Sequence, residues 1–443
     1  MNPLNRLSDL VGAARAAGAD AADALLASSA SLSVSLRLGE VENVERSESH
    51  DIGLRVFVGK RSAIVSTTDP DPLNFAALAE RAVAMARAVP EDPYGGLPEA
   101  PPPVPAGSAP EMDDGQHSDV AALTLRARIA EDAARSIAGV TNSEGADAGW
   151  ARTEIALVAS NGFAGTYSRS GHSISATALA GSGTGMERDY DYSSTVHLAD
   201  LDDPATIGRN AGERAVRRLN PTRPKTARLP VIYDPRVANS LLGHLSSAIN
   251  GASVARGTTF LRESLGKQIL PRGLTVMDDP LRARGLRTRP FDGEGTPARP
   301  RAIVEDGVLT TWILDTRSAR QLGMATTGHA SRGTSSPPSP SATNLWLQAG
   351  VVTPETLMAD IVEGFYITEF IGMGVNGITG DYSRGASGFV IRNGALAEPF
   401  SGVTVAGNLR DIFLNMTPAD DLRFRRGTDA PTIRVEGLTL AGA

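Results

Sequence analysis

No cysteine occurs in this chain, and that absence removes a whole band of chemistry. A disulfide framework, a thiolate zinc site, an iron–sulfur cluster and a cysteine nucleophile are all excluded. No run of about 18 apolar residues is present to span a membrane. The first residues lack a basic stretch followed by an apolar core, so they do not read as a secretory signal, and a cytoplasmic protein is the expectation. A strong charge of either sign is missing too. The net charge is −7 with a pI near 5.5, which argues against bulk nucleic-acid binding because that needs a basic surface.

Familiar catalytic signatures are equally scarce. The histidines are His50, His117, His172, His197, His244 and His329. No two share the short spacing that puts a pair of imidazoles on one helix face for zinc. No GxSxG nucleophile elbow is present. A literal GxGxxG does occur at Gly372-Met373-Gly374-Val375-Asn376-Gly377. A dinucleotide fingerprint needs a helix to open directly after the glycines, with its N-terminus facing the pyrophosphate. The residues that follow carry more glycine and no helical period, so the match is incidental.

What is present has globular proportions, 41% hydrophobic and 21% charged over 443 residues, long enough for more than one core. A first helix is predicted over 5–17, with Leu7, Leu10, Val11 and Ala14 on one face. Alternating stretches at 32–38 and 52–58, then 62–66, read as strands, and a helix follows at 73–88. The proline-rich stretch 90–110 reads as an irregular linker. Ser118-Asp119 then opens a helix to residue 138, strands are predicted at 153–159, 163–168 and 173–180, and a helix at 204–219. The order of helix, strands and helix thus occurs twice, over 4–89 and 118–219. Arg46–Ile52 and Tyr167–Ile174 are matching segments, which points to an internal duplication.

Asn220-Pro221-Thr222-Arg223-Pro224 marks a boundary, dividing an N-terminal domain (1–222) from a C-terminal one (223–443). The second begins with a strand at 229–233 and a helix at 235–249. Beyond residue 258 it turns to short strands punctuated by Asp292-Gly293, Asp306-Gly307, Asn376-Gly377 and Asn393-Gly394. The expected class is α+β: an N-terminal α/β domain followed by a β-rich, antiparallel, barrel-like C-terminal domain.

Three segments of the second domain draw functional interest. Arg282, Arg284, Arg287, Arg289, Arg299 and Arg301 form a basic cluster that reads as a solvated hairpin face or as a surface gripping carboxylates and backbone carbonyls. Residues 324–344 form a long polar loop, and such loops in compact domains are commonly functional. The stretch Ile371–Gly394 holds seven glycines around a polar centre, the composition of a ligand-facing loop or a tight chain crossing.

Several long motifs then fall in one order: Phe291-Asp292-Gly293-Glu294-Gly295-Thr296-Pro297, Glu305–Leu309, Leu314–Gly323, Val375–Gly380 and Asp381–Gly388. With them the whole chain resembles the TldD/PmbA family. The resemblance implies a two-subunit zinc metallopeptidase acting on small or unfolded peptides. In the catalytic branch an HExxxH motif on the first helix of the second domain, with a late cysteine, holds zinc, and the glutamate activates water. Here that window falls on Leu242-Gly243-His244-Leu245-Ser246-Ser247, with Leu242, Gly243 and Ser247 where the motif's histidines and glutamate would stand. The cysteine is absent as well.

The chain therefore resembles the PmbA (TldE) branch, which implies no metal and no cofactor of its own. Zinc is expected in an HExxxH-bearing partner, with this subunit shaping the peptide cavity. The alternative is a stand-alone homodimeric peptide-binding or scaffold protein. His329, Arg332, Asn344, Asp381, Tyr382, Ser383 and Arg384 are the expected cavity-wall residues, chosen for polarity within looped or glycine-rich segments. A DNA-directed role, which the family's name as a gyrase modulator would imply, finds little support in an acidic chain.

Overall fold

The structure, a computed structural model, describes residues 2–69, 71–99 and 111–442. Most of the proline-rich stretch expected as a linker, 100–110, lies outside the described residues. The N-terminal part runs α1 (Pro3–Ala16), β1 (Ala21–Arg37), β2 (Glu40–Val58), β3 (Arg61–Thr67) and α2 (Phe75–Ala88). It then repeats the order as α3 (Val120–Arg135), β4 (Val140–Ala159), β5 (Ala164–Ala180), β6 (Glu187–Thr195) and α4 (Pro204–Arg217). The six strands form one antiparallel sheet in the order β3-β2-β1-β4-β5-β6, so the two copies meet along β1 and β4. Arg46–Ile52 and Tyr167–Ile174 occupy the second strand of each copy.

Period-2 alternation decides what the sheet covers. On β1 the even positions Ala22, Ala24 and Leu26 pack with the first helix pair, and Val34 and Leu36 with the second. All four helices therefore share one face. Leu25 and Leu157 turn to the opposite face, where they meet Phe163 and, from the C-terminal part, Phe291. Helix starts follow their caps. Asp119 and Asp203 accept from the amides of Ala122 and Thr206, satisfying donors that the first turn leaves open. Helices α3 and α4 touch at Gly208, where an added Cβ would stand 1.9 Å from the carbonyl oxygen of Ala130.

The sheet is longer than the alternation predicts. The expected strands 163–168 and 173–180 are one strand, β5, running unbroken through Gly171-His172. The first half of β4 and all of β6 escape the pattern because β4 bulges near Asn142 and Gly145 and both are rich in small or polar residues.

The C-terminal part opens with β7 (Ala227–Tyr233), α5 (Pro235–Ala248) and α6 (Gly251–Arg256). It continues through β8 (Val276–Asp278), β9 (Arg301–Glu305), β10 (Val308–Leu309), α7 (Thr316–Gln321), β11 (Ala330–Ser331), β12 (Ser339–Pro340) and β13 (Leu345–Leu347). It ends with α8 (Pro354–Met358), β14 (Glu363–Val375), β15 (Asp381–Arg392), β16 (Ala395–Asn408), α9 (Leu409–Leu414), β17 (Met416–Pro418), β18 (Thr428–Asp429) and β19 (Ile433–Ala441). Strands β16, β15, β14, β7 and β19 pair in sequence, and β19 pairs again with β16, closing a five-stranded barrel. Closure removes the exposed edges that a flat sheet would leave. One pairing in the ring, β14 with β7, is parallel.

The Asp306-Gly307 and Asn393-Gly394 turns are hairpins with both residues at positive φ, the geometry that matches strand twist. Asp292-Gly293, expected as another hairpin, is instead a loop knotted around a buried carboxylate. Asp292 accepts from the amides of Glu294, Thr296 and Ala330. Among the described residues no helix is long and apolar enough to cross a membrane.

Candidate functional site

The glycine-rich stretch turns out to be the β14–β15 hairpin and its bulges. Register shifts fall between Ile367 and Glu369 and between Ile371 and Gly374. A side chain at Gly374 or Gly388 would sit about 2 Å from the facing carbonyl oxygens of Ser383 and Tyr366, so these glycines permit close strand approach. No helix follows the GxGxxG segment; β15 does. At the hairpin tip, Asp381 accepts from Thr379 Oγ1 at 2.6 Å and from Asn408 Nδ2 at 3.2 Å. It organises the turn, while Ser383 beside it is exposed.

Tyr382 and Arg384 point the other way, toward α5. That helix starts at Asp234, whose carboxylate accepts from the Arg236 amide. Its apolar positions Leu241, Leu242 and Leu245 are buried in the same core as the barrel strands. His244, one turn from Leu241 and Ala248, stands half-buried on the flank of that stripe. Its ring meets Tyr382 edge-on at 5.9 Å between centroids. Tyr382 in turn contacts Phe370 at 6.1 Å, and Phe370 contacts Tyr233 at 5.5 Å. The Arg384 guanidinium lies over the Phe370 ring at 4.6 Å.

The electrostatics of this cluster are one-sided. Burial, reinforced by the Arg384 charge, pushes the His244 imidazole down to about 4, so it is neutral at pH 7. Burial pushes the Tyr382 phenol up to about 12, opposed in part by its hydroxyl neighbour Tyr233 and by Arg384. Tyr233 is raised well above its ordinary value by burial and then by Tyr382. The two hydroxyls lie close together, yet neither completes a hydrogen bond of good geometry, and His244 Nε2 has no partner either.

These residues do not fit a zinc ion. Zinc wants several imidazole, thiolate or carboxylate donors converging on one point. In the degenerate window Leu242 faces the core, Gly243 faces open space and Ser247 donates to the Gly243 carbonyl. The one imidazole left stands beside a guanidinium.

The remaining expected residues lie elsewhere. His329 is buried, with Nε2 3.1 Å from Asp278 Oδ1 and Nδ1 2.8 Å from Thr327 Oγ1. Asp278 also accepts from the Thr343 amide and hydroxyl. Asn344 accepts from the Arg287 amide and donates to Asp279 O and Thr288 Oγ1. Arg332 reaches across to the N-terminal sheet, 2.6 Å from Asp23, which also pairs with Arg55, itself 3.4 Å from Glu294. Among the described residues no hydrogen bond or ion pair joins the 329–344 group to residues 381–384. From the polar loop, the Arg332 side chain forms a buried clamp between the two parts.

The expected arginine surface is also dispersed. Arg282 stacks on Phe424, Arg284 pairs with Asp200, and Arg289 donates to the Ala330 carbonyl. Tyr233, His244 and Phe370 were not among the expected site residues. The helical spacing of His244 from Leu241 and Ala248 was the one available signal.

Family models of PmbA/TldA metallopeptidases match the chain in three blocks. These are domain 1 at residues 22–86, the central domain at 113–219 and the C-terminal domain at 226–442. Metalloprotease PmbA of Escherichia coli O157:H7 is 36% identical over 428 residues, covering 96% of this chain and 92% of that protein. A metalloprotease PmbA homolog of Haemophilus influenzae is 34% identical over 93% of this chain and 90% of its own. The crystal structure of a candidate modulator of DNA gyrase from Bacteroides thetaiotaomicron aligns with a TM-score of 0.90 at 25% identity, over 99% of this chain and 98% of that one. TldE from Thermococcus kodakarensis shares the fold, with a TM-score of 0.90 at 20% identity over 99% of this chain and all of its own. Built on the same three blocks and similar to these proteins over nearly its whole length, the chain belongs to the PmbA/TldD family of metallopeptidases.

Proposed function

We propose that this chain is the PmbA (TldE)-type subunit of a two-subunit zinc metallopeptidase for small or unfolded peptides. It shapes the peptide cavity, while an HExxxH-bearing relative supplies the zinc and the general base. The observation that carries this reading is the α5 window, where Leu242, Gly243 and Ser247 offer no donor set for a metal. A metallopeptidase fold without that set needs its metal from elsewhere. A surface suited to a partner stands nearby: Ile371, Met373 and Ile378 are exposed on the projecting hairpin. Grouped exposed apolar residues mark association surfaces more than isolated ones do.

The test is recovery of the tagged chain from its native host, followed by protein identification, metal analysis and peptide cleavage assays. The expected result is an HExxxH-bearing relative in the eluate, about one zinc per pair, and cleavage by the pair but not by the chain alone. Recovery of the chain only with itself would favour the homodimeric scaffold. Stoichiometric zinc and cleavage by the isolated chain would overturn the assignment.

A further inference from the structure

The internal duplication leaves one edge of the N-terminal sheet open. Strand β2 pairs with β1 along its whole length, but β3 meets it only over residues 52–58. Residues 40–51 therefore form a free edge, exposed from Glu40 to Glu48, whereas 52–57 are buried. Alternate residues of such a strand turn their N–H and C=O groups outward, and the second copy shows which. There Ser170 donates its amide outward to the Met112 carbonyl. The two strands align His50 with His172 and Ile52 with Ile174, so Ser170 answers to Glu48. Val44, Arg46, Glu48 and His50 thus hold their backbone groups outward, and these groups are unpaired among the described residues.

The same comparison shows what an occupant covers. In the second copy, residues 111–117 cross the strip of sheet between the two helix pairs. Asp114 lies 3.0 Å from His172 Nε2, Asp113 pairs with Arg152 at 2.7 Å, and Trp150 Nε1–H donates to the Gln116 carbonyl. Ser170 and His172 are buried there. In the first copy the corresponding strip is uncovered among the described residues. His50 is exposed and meets Ser28. Beside it opens a cavity of about 730 Å³, lined by Leu32, Val44, Val120 and Trp150. Val41 and Val44 are 43% and 45% exposed. An apolar trough along an unpaired strand suits the addition of a strand from another chain.

Charge selects the occupant. Residues 40–51 carry five carboxylates and one arginine. Arg46 is held by Glu48 at 2.6 Å and Glu42 by Arg37 at 3.8 Å. Glu40, Glu45 and Asp51 have no ion pair among the described residues. The same edge of a second copy would bring five more carboxylates against these, which opposes pairing. We infer that the β2 edge and its trough bind an extended, cationic segment of a different protein, added to the sheet as a further strand. By the period of 2, its apolar residues turn to the trough beside Val44. Its lysines or arginines turn to the opposite face, beside Glu45 and Asp51.

The experiment adds blocked octapeptides to the full-length chain and follows them by calorimetry and by amide hydrogen exchange read by NMR. The probe alternates lysine and valine. It is expected to bind saturably, with a Kd below about 1 mM. A peptide alternating glutamate and valine, and one with its lysines in a block before its valines, should each bind at least about fivefold more weakly. Exchange should slow at Val44, Arg46, Glu48 and His50, whose amides face outward. It should change little at Glu45, Ser47 and Ser49, which already bond to β1.

Glu45→Lys combined with Asp51→Lys should weaken the lysine–valine peptide about five- to tenfold, since two exposed attractions become repulsions. Glu48→Pro removes one outward N–H without touching the β1 ladder and should weaken it about three- to tenfold. Melting temperatures separate these losses from misfolding. No saturable binding, equal affinity for the lysine and glutamate peptides or for the block peptide, or protection away from β2 would overturn the inference. Dimerisation of the free chain, seen by sedimentation and lost in Glu48→Pro, would refute the occupant by making it a second copy.

Discussion

Asp23→Asn tests the connection between the two parts of the chain. Asp23 is 1% exposed. It accepts from Arg55 Nε at 3.0 Å and Nη2 at 2.5 Å, and from Arg332 Nη1 at 2.6 Å. Burial pushes its carboxyl up, but Arg332 and Arg55 together outweigh that and hold it below the ordinary value. Arg332 is the less favoured partner: burial, helped by Arg55, lowers it despite Asp23. It remains charged because its ordinary value lies far above neutrality. Removing the shared charge leaves two buried guanidinium groups with Glu294 as their remaining acid. Breaking a buried pair from one side costs about 3–5 kcal/mol. At ~2 °C per kcal/mol, that lowers the melting temperature by roughly 6–10 °C.

Differential scanning fluorimetry at pH 7.5 reads this change, and limited proteolysis near residues 90–115 reads the loosened contact. Asp23→Leu combined with Arg332→Met should recover part of the loss, because the Arg55–Glu294 pair then stands alone without an excess charge. An Asp23→Asn melting temperature within about 1 °C of the parent would refute the clamp, since surface pairs are worth that little. It would return Arg332 to the list of residues free to meet a peptide.

His244 makes stability depend on pH. Its folded value of about 4 lies below the ordinary 6.5, so the unfolded chain binds the extra proton first. Its contribution is fully present above pH 6.5 and is lost as pH falls toward 4, by about 2–3 kcal/mol after allowance for partial exposure. His244→Phe should remove that component, so the urea midpoint of the variant should rise relative to that of the parent as the pH falls from 7 to 4. Parallel curves would disprove it. Gly208→Ala should separate α3 from α4, because its Cβ has backbone, not a movable side chain, 1.9 Å away. A loss of about 1–3 kcal/mol is expected from such overpacking, read as a fall in melting temperature, and a neutral substitution would show that the helices can slide.

The helices were legible because their signals are local. Asp-Pro at 203–204 and 234–235 and Ser118-Asp119 set the starts, and apolar spacing set the buried faces. The strands were legible only where alternation was clean. Gly171 and the bulges near Asn142 and Gly145 broke it, so β5 was split and half of β4 went unread. Pairing was the least accessible link. Nothing in Phe365–Ile367 indicates that it runs parallel to Val231–Tyr233, because that neighbour is more than a hundred residues away. The polar loop misled for a related reason. Polarity at His329, Arg332 and Asn344 marks bonding need, and whether that need is met inside the protein or by a ligand depends on Asp278, Asp279 and Asp23, which lie far off in the chain.

That distinction separates the two polar groups of the C-terminal part. Around His329 and Arg332 the side chains bond to Asp278, Thr327 and Asp23, so mutation there reads out in stability. Around His244 and Arg384 the Tyr233 and Tyr382 hydroxyls and His244 Nε2 are left without a hydrogen bond of good geometry. Such an arrangement gains nothing for the fold, since a buried group without a partner costs more than its bond would return. Helix α5 nevertheless keeps its apolar stripe, its Asp234 cap and its place against the barrel. A guanidinium beside the surviving imidazole repels a cation and attracts an anion.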